Sequence, residues 1–291
     1  MTNRLHGAIA ASVTPLKDGG RTLDADAIGA LTAFLSDGGV DGLLACGTTG
    51  EGVLLSVPER RTVAEAFVAA RPDGFQVAVH AGAQTTADTV TLAAHALEIG
   101  ADAVAVIAPP YFPLDEEELV RHLVSAANAC DPLPFYLYEF VARSGYAIPP
   151  AAVTRVRSAA PNAVGLKVSD VPFDAVKPYL SLGMDVFIGQ EPLALEGLEA
   201  GAVGSVSGLA TAFPSVVADL IHDRSAAAHA AVKLMRERLK GVPFHAAMKE
   251  VLALRNVLLH TDVRAPLRGL TPDELDAVRS LVAEIDGPEG V

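Results

Sequence analysis

The sequence predicts a (β/α)8 barrel with helices appended at its C-terminal end. Eight short apolar runs alternate with longer amphipathic stretches through most of the chain, the order produced by a parallel sheet and its covering helices. The apolar residues are mostly Ala, Val and Leu, with aromatics at only 5%, which suits strands buried on both faces. The main alternative is an open doubly wound sheet, which alternates in the same way but would usually carry a GxGxxG turn after an early strand, and none is present.

The runs are GAIAASVTP (7–15), GLLACG (42–47), QVAVHAG (76–82), DAVAVIAPP (102–110), PFYLYEF (134–140), AVGLKVS (163–169), DVFIGQ (185–190) and GSVSGLA (204–210). Between them, residues 25–36, 58–70, 87–99 and 116–129 repeat their apolar positions at helical spacing. Ser56-Val-Pro-Glu and Thr85-Thr-Ala-Asp are helix starts, because a Ser or Thr side chain accepts the free N–H groups of the first turn. Gly100 and Gly201 are stops. From about Ser225 the chain is helical in pattern through AAAHAAVKLMRERLK, HAAMKEVLALRNVLLH and PDELDAVRSLVAEI, with no low-complexity linker before it. The expected division is a barrel over 1–224 and packed helices over 225–291.

At 291 residues, 51% hydrophobic, with mean hydropathy +0.35, the chain can bury a large core. Its net charge of −13 argues against nucleic acid or an anionic membrane as partner, since both repel an acidic surface. Cys46 and Cys130 make no CxxC pair or disulfide framework, as in a reducing cytosol. Met1-Thr-Asn-Arg-Leu-His is polar and leads straight into a strand pattern, unlike a signal peptide. No apolar run approaches the roughly 18–20 residues of a membrane span. A cytoplasmic protein is expected.

In a (β/α)8 barrel the active site lies at the C-terminal strand ends. There the sequence carries Gly47-Thr48-Thr49-Gly50-Glu51 after the second strand and Pro109-Pro110-Tyr111 after the fourth. Tyr138-Glu139, with Arg143 soon after, ends the fifth strand, and the sixth holds Lys167. Alternation in the sixth strand puts Val164, Leu166 and Val168 against the helices and Gly165, Lys167 and Ser169 inside. The same logic puts Tyr136, Tyr138 and Phe140 on one face of the fifth strand and Leu137 and Glu139 on the other, so an inward Tyr138 lies on the strand beside Lys167.

A buried ammonium is costly unless it is paired or gives up its proton. Free lysine has a pKa near 10.4, so about 4 in 10,000 amines are neutral at pH 7. Desolvation favours the neutral, nucleophilic form, which attacks carbonyl carbon and forms a Schiff base. The iminium then withdraws electrons so that a C–C bond beta to it breaks or forms through an enamine. A tyrosine hydroxyl can carry the proton, and backbone N–H groups of a Gly-Thr turn can hold a 2-oxo acid's carboxylate.

GTTGE after the second strand, PPY after the fourth, LY with Arg143-Ser144-Gly145 after the fifth and VGLK in the sixth resemble the dihydrodipicolinate synthase/N-acetylneuraminate lyase superfamily. The resemblance runs from GAIAASVTPL through GLLACGTTGEGVLLSVPER to APLRGLTPDEL. It implies that Lys167 is the Schiff-base lysine, Tyr138 the proton-shuttling tyrosine and Thr48 its relay. Tyr111 matches the tyrosine that reaches into a neighbouring subunit, and Thr49 with adjacent backbone matches the pyruvate-carboxylate site. The candidate substrate-binding residues are thus Thr49, Gly47, Arg143 and Ser207. The resemblance further implies a homotetramer built from tight dimers, with no metal or organic cofactor.

Arg143-Ser144-Gly145 resembles the Arg-Thr-Gly of the synthases, whose arginine handles a carboxylate of the aldehyde. Two departures stand beside it. Tyr138-Glu139-Phe140-Val141 replaces the usual Tyr-Asn-x-Pro, and Gly189-Gln190-Glu191 replaces Gly-Asp-Asp. Glu139 either pairs with Arg143 or lies outward at the strand end. The functional expectation is a lyase joining or cleaving pyruvate, or a related 2-oxo acid, and an aldehyde, most like 4-hydroxy-tetrahydrodipicolinate synthase. The alternatives are an N-acetylneuraminate lyase-like enzyme, a 2-keto-3-deoxy sugar-acid aldolase or dehydratase, and a non-catalytic 2-oxo acid sensor. A metal-dependent aldolase would need grouped ligands, whereas His80 ends a strand and His95, His122, His222, His229, His245 and His260 lie on helical segments. A pyridoxal phosphate enzyme would need a phosphate-cradling loop late in the barrel, and no convincing one is found.

Overall fold

A computed structural model describes residues 4–287. Eight parallel strands form a closed barrel: Gly7–Ala11, Gly42–Ala45, Gln76–His80, Ala103–Ile107, Phe135–Glu139, Ala163–Val168, Asp185–Ile188 and Gly204–Ser207. The last strand pairs back onto the first, Gly7 opposite Gly204 and Ala10 opposite Ser207. That closure bears out the predicted fold class and removes the open-sheet alternative. A small hairpin, Leu16–Lys17 with Thr22–Leu23, follows the first strand.

The helices that follow the strands include Ile28–Asp37, Val57–Ala69, Thr86–Glu98, Glu116–Ala129, Pro150–Ala159 and, after the last strand, Pro214–His222. Their starts follow from side-chain chemistry: Ser56, Thr85 and Asp115 accept the N–H groups of Glu59, Asp88 and Glu118. Gly100 and Gly201 take φ of 74° and 99°, a left-handed backbone that ends a helix without a Cβ clash.

Three further helices, Ala226–Arg238, Phe244–Leu254 and Pro272–Asp286, complete the described chain. The apolar pattern continues to His260, yet the second of them stops at Leu254 because Asn256 adopts φ 57°. Leu258 then turns into the core and Leu259 stays exposed. Val232, Met235, Val251 and Leu281 from these helices share one apolar cluster with Leu31, Leu35 and Val217 of the barrel helices. The C-terminal helices are therefore built into the barrel's outer layer.

Inside the barrel, Ile9, Leu44, Ala78, Ala103, Ala105, Tyr136, Phe187 and Val206 form a second core. Alanines on the third and fourth strands leave volume that Tyr136, directly beside Ala105, and Phe187 fill, their rings edge-to-face at 5.7 Å. The Tyr136 hydroxyl accepts the N–H of Leu5 at 3.0 Å. Position 165 must be glycine, since a Cβ there would lie 2.6 Å from the Tyr136 ring and 2.5 Å from the Asp185 carbonyl oxygen.

One expectation about the sixth strand needs correction. Val164 does not join the helix-facing set but lies half-buried against the inner cluster. The pairing slips between Phe135 and Tyr136, so that Ala163 faces Phe135 while Gly165 faces Tyr136. This irregularity breaks the simple alternation at Val164. Beyond it the register is regular and sets Lys167 directly beside Tyr138 on one side and Phe187 on the other.

A buried ion pair fastens the C-terminal helices to the barrel mouth. Lys249 Nζ donates to Glu51 Oε1 and to the Asp262 carbonyl, both at 2.6 Å, and the Arg264 N–H donates to Glu51 Oε2 at 2.6 Å. Both side chains of the pair are wholly buried. Lys249→Met would strand the Glu51 carboxylate, and a loss of ~3–5 kcal/mol in urea unfolding is expected. Unchanged stability would show that Glu51 takes up a proton at little cost.

Candidate active site

The turn after the second strand is shaped by its own backbone. The N–H groups of Glu51 and Gly52 donate to the carbonyls of Thr48 and Gly47 at 3.1 Å each. Cys46 and Glu51 both hold left-handed φ, at 57° and 56°. A Cβ on Gly52 would sit 1.8 Å from the Cys46 carbonyl oxygen, which demands glycine there. The result turns Thr48 and Thr49 toward the barrel mouth. His245, from the C-terminal helices, donates through Nε2 to the Thr48 carbonyl at 2.9 Å and holds the turn from above.

Five of the predicted site residues line one cavity of about 310 Å³: Thr48, Thr49, Tyr138, Arg143 and Lys167. Lys167 is 6% exposed, and its Nζ lies 4.4 Å from the centroid of the Tyr138 ring. Among the described residues no carboxylate pairs with it. The Tyr138 hydroxyl lies 3.3 Å from Thr48 Oγ1. Its ring is held edge-on by His80 at 5.9 Å and stacked on Phe140 at 6.2 Å. Burial, reinforced by Arg60 and Lys167, pushes the His80 imidazole down to about 3, so it stays neutral beside the phenol.

The remaining predicted residues fall elsewhere. Gly47 lines a second, larger cavity of about 590 Å³, which shares Thr48, Arg143 and His245 with the first. Tyr111 is 82% exposed and packs edge-to-face on Phe112 at 4.9 Å, away from Tyr138. Ser207 is buried, and its hydroxyl donates to Glu191 Oε1 while accepting the Ala210 N–H, so it does not face the cavity. Glu139 does not pair with Arg143: it lies on the outer face of its strand, where its Oε2 accepts the Ile148 N–H at 2.8 Å.

The other wall of the 310 Å³ cavity comes from residues that strand-end reasoning missed: Arg236, Leu239, Lys240, Phe244 and His245. They sit on and after the first C-terminal helix, far along the chain, and nothing in their local pattern marks them as facing the mouth. Arg236 grips the wholly buried Glu191 with Nε and Nη2 at 2.8 Å each and lies over the Phe244 ring at 4.9 Å. Burial alone would raise the Glu191 carboxyl, but Arg236, Ser207 and backbone N–H groups outweigh it and hold it below its usual value. With that carboxylate spent, the cavity presents Lys167, Arg143 and Lys240, a cationic lining in a chain of net charge −13. Such a lining favours anionic ligands. An amine beside a phenol beside a hydroxyl supplies a nucleophile and a path for its proton.

The family model described as "Dihydrodipicolinate synthetase family" matches residues 4–285. The chain belongs to this family. Relatives of the dihydrodipicolinate synthetase-family chain include an uncharacterized DapA-like lyase of Halobacterium salinarum, 33% identical over 97% of this chain and 94% of that one. A 4-hydroxy-tetrahydrodipicolinate synthase of Syntrophus aciditrophicus is 30% identical over 95% of this chain and 97% of its own. Human N-acetylneuraminate lyase is 36% identical over 70% of this chain and 66% of its own. A crystal structure of dihydrodipicolinate synthase from Aquifex aeolicus superposes with a TM-score of 0.91 at 26% identity, covering 98% and 99% of the two chains. The chain is thus a lyase of the class I aldolase type, in a family whose members are named for both the synthase and the neuraminate lyase reactions.

Proposed function

We propose that the protein joins or cleaves pyruvate, or a related 2-oxo acid, and an aldehyde through a Schiff base on Lys167, with 4-hydroxy-tetrahydrodipicolinate synthase as the reaction it most resembles. The observation that carries this reading is the buried Lys167 amine, paired with no carboxylate among the described residues, 4.4 Å from the Tyr138 ring and open to the cavity. The amine adds to the ketone carbon and water leaves, forming the iminium. Tyr138 takes a proton from the methyl carbon, giving the enamine, and Thr48 passes protons to and from the phenol. The enamine carbon then bonds to the aldehyde carbon, whose oxygen takes up a proton. Thr49 and the backbone of its turn hold the 2-oxo acid's carboxylate, and Arg143 holds an anionic group of the aldehyde.

Tyr111, exposed on one chain, is assigned to the relay of a neighbouring subunit in a tetramer of tight dimers, which would bury it. A sugar-acid or neuraminate substrate is the second reading, supported by the human N-acetylneuraminate lyase match. Borohydride reduction with pyruvate followed by peptide mass spectrometry tests the scheme, and an unlabelled Lys167 would overturn it. Pyruvate consumption across a panel holding aspartate semialdehyde and sugar-derived aldehydes then separates the two readings. Labelling without turnover of any aldehyde would favour a 2-oxo acid sensor. With the active aldehyde, Arg143→Ala is expected to raise its KM by about tenfold or more, the scale of a lost charge-assisted contact, while pyruvate trapping is unchanged. An unaltered KM would remove Arg143 from the acceptor site.

A further inference from the structure

We infer that Phe140 is a positioning residue that holds the Arg143 guanidinium at the cavity mouth on the face of its ring, leaving the N–H groups of that arginine free to take an anionic group of the acceptor. Among the described residues, no carboxylate or carbonyl accepts from the Arg143 side chain, and its Cζ lies 5.4 Å from the centroid of the Phe140 ring. That ring in turn stacks on Tyr138 at 6.2 Å, with 29° between the planes, and Tyr138 faces Lys167 Nζ at 4.4 Å. Phe140 lines the same cavity as all three. It therefore stands between the phenol assigned to the proton and the arginine assigned to the acceptor, a placement that rests on the role proposed above for Arg143.

The arrangement follows from local spacing. Residues 138 and 140 lie two apart at the end of the fifth strand, so both side chains face the cavity. The chain then turns into a short helix, Val141–Ser144, in which the N–H groups of Arg143 and Ser144 donate to the Phe140 carbonyl at 2.9 and 3.0 Å. That turn brings the side chain three residues on back over the ring. The Val141 N–H donates to Asp170 Oδ1 at 2.9 Å, a bond that the proline usual at this place could not make, and Gly145 ends the helix at φ 87°.

The opposite wall shows why a ring suits this task. Arg236 also lies over a phenylalanine, Phe244, at 4.9 Å, but the buried Glu191 takes its Nε and Nη2, so its charge is compensated. A carboxylate holds a guanidinium by the same in-plane N–H groups that would grip a ligand, whereas a ring holds it by its flat face. Arg143 is exposed and long, and without a platform its side chain would sample many rotamers, all but one of which are lost on binding. The Phe140 ring removes part of that freedom before the ligand arrives.

Crystal structures of the full-length protein and of Phe140→Leu test the platform directly. The Arg143 guanidinium should lie over the ring in the first and take no single position in the second; one held in the same place above leucine would overturn the inference. Phe140 is half-buried, so leucine there should leave the fold intact, and Phe140→Met supplies the same comparison should it not. Kinetics reads the consequence, with aspartate semialdehyde or whichever aldehyde of the panel is consumed. Phe140→Leu should raise the aldehyde KM by about fivefold, the worth of an exposed cation–ring contact, with pyruvate trapping on Lys167 unchanged. Phe140→Tyr, which keeps the ring, should stay within about twofold of wild type. In an Arg143→Ala background, Phe140→Leu should raise KM no further. An equal rise in both backgrounds would overturn the inference, since the ring would then act by shaping the mouth or through Tyr138. An Arg143→Ala protein with the wild-type KM would instead remove the acceptor role, and the crystal comparison would still decide whether the ring holds the arginine.

Discussion

Lys167→Ala is expected to abolish the borohydride-trapped pyruvate adduct and to lower turnover by about 10⁴-fold or more, the scale seen when a covalent nucleophile is removed. The reason lies in what surrounds the amine. The chain buries two lysines at the barrel mouth, and they have opposite settings. Lys249 is locked to Glu51 in a wholly buried ion pair, so its charge is compensated and its role is mechanical. Lys167 faces the Tyr138 ring and the cavity, among described residues that offer it no carboxylate. A ring face would stabilise the positive charge of the proposed iminium on Lys167, without tying the nitrogen up in an ion pair. The two lysines should therefore differ in phenotype: Lys167→Ala loses chemistry with little loss of stability, whereas Lys249→Met loses stability. A Lys167→Ala protein that still traps pyruvate would move the nucleophile elsewhere. One that unfolds would show that this amine also serves structure.

Tyr138→Phe is expected to lower kcat by about 10²–10⁴-fold, the usual worth of a positioned proton carrier, while still permitting the adduct. Phenylalanine keeps the ring that packs on His80 and Phe140 and that faces Lys167. Only the hydroxyl, 3.3 Å from Thr48 Oγ1, is lost. Rapid-quench trapping separates adduct formation from turnover. A rate equal to wild type would dismiss the phenol as proton carrier, and failure to form any adduct would mean that its hydroxyl is needed before the enamine step.

Much of this site is legible one strand at a time. Lys167 lies in an alternating run whose other face is branched and apolar, so its inward direction follows from the two-residue period of a strand. Thr48 and Thr49 sit in a turn whose glycines mark a tight backbone, and the helix starts at Ser56 and Thr85 announce themselves by local capping chemistry. Val164 breaks the alternation because its strand slips against its neighbour, and such a slip depends on both strands at once. Ser207 shows the same limit: it stands on a barrel strand near the mouth, yet its hydroxyl is claimed by Glu191, whose partner Arg236 is 45 residues further on.

By itself the sequence determined the barrel, the inward lysine and the polar strand ends, because periodicity, capping and turn chemistry act between near neighbours. Only the tertiary structure decided that Arg236, Phe244 and His245 wall the cavity, that Glu139 turns away from Arg143 to accept the Ile148 N–H, and that Tyr111 stands exposed. Those placements join residues distant in sequence, and which distant groups meet depends on how the elements pack together, a constraint that no local pattern carries.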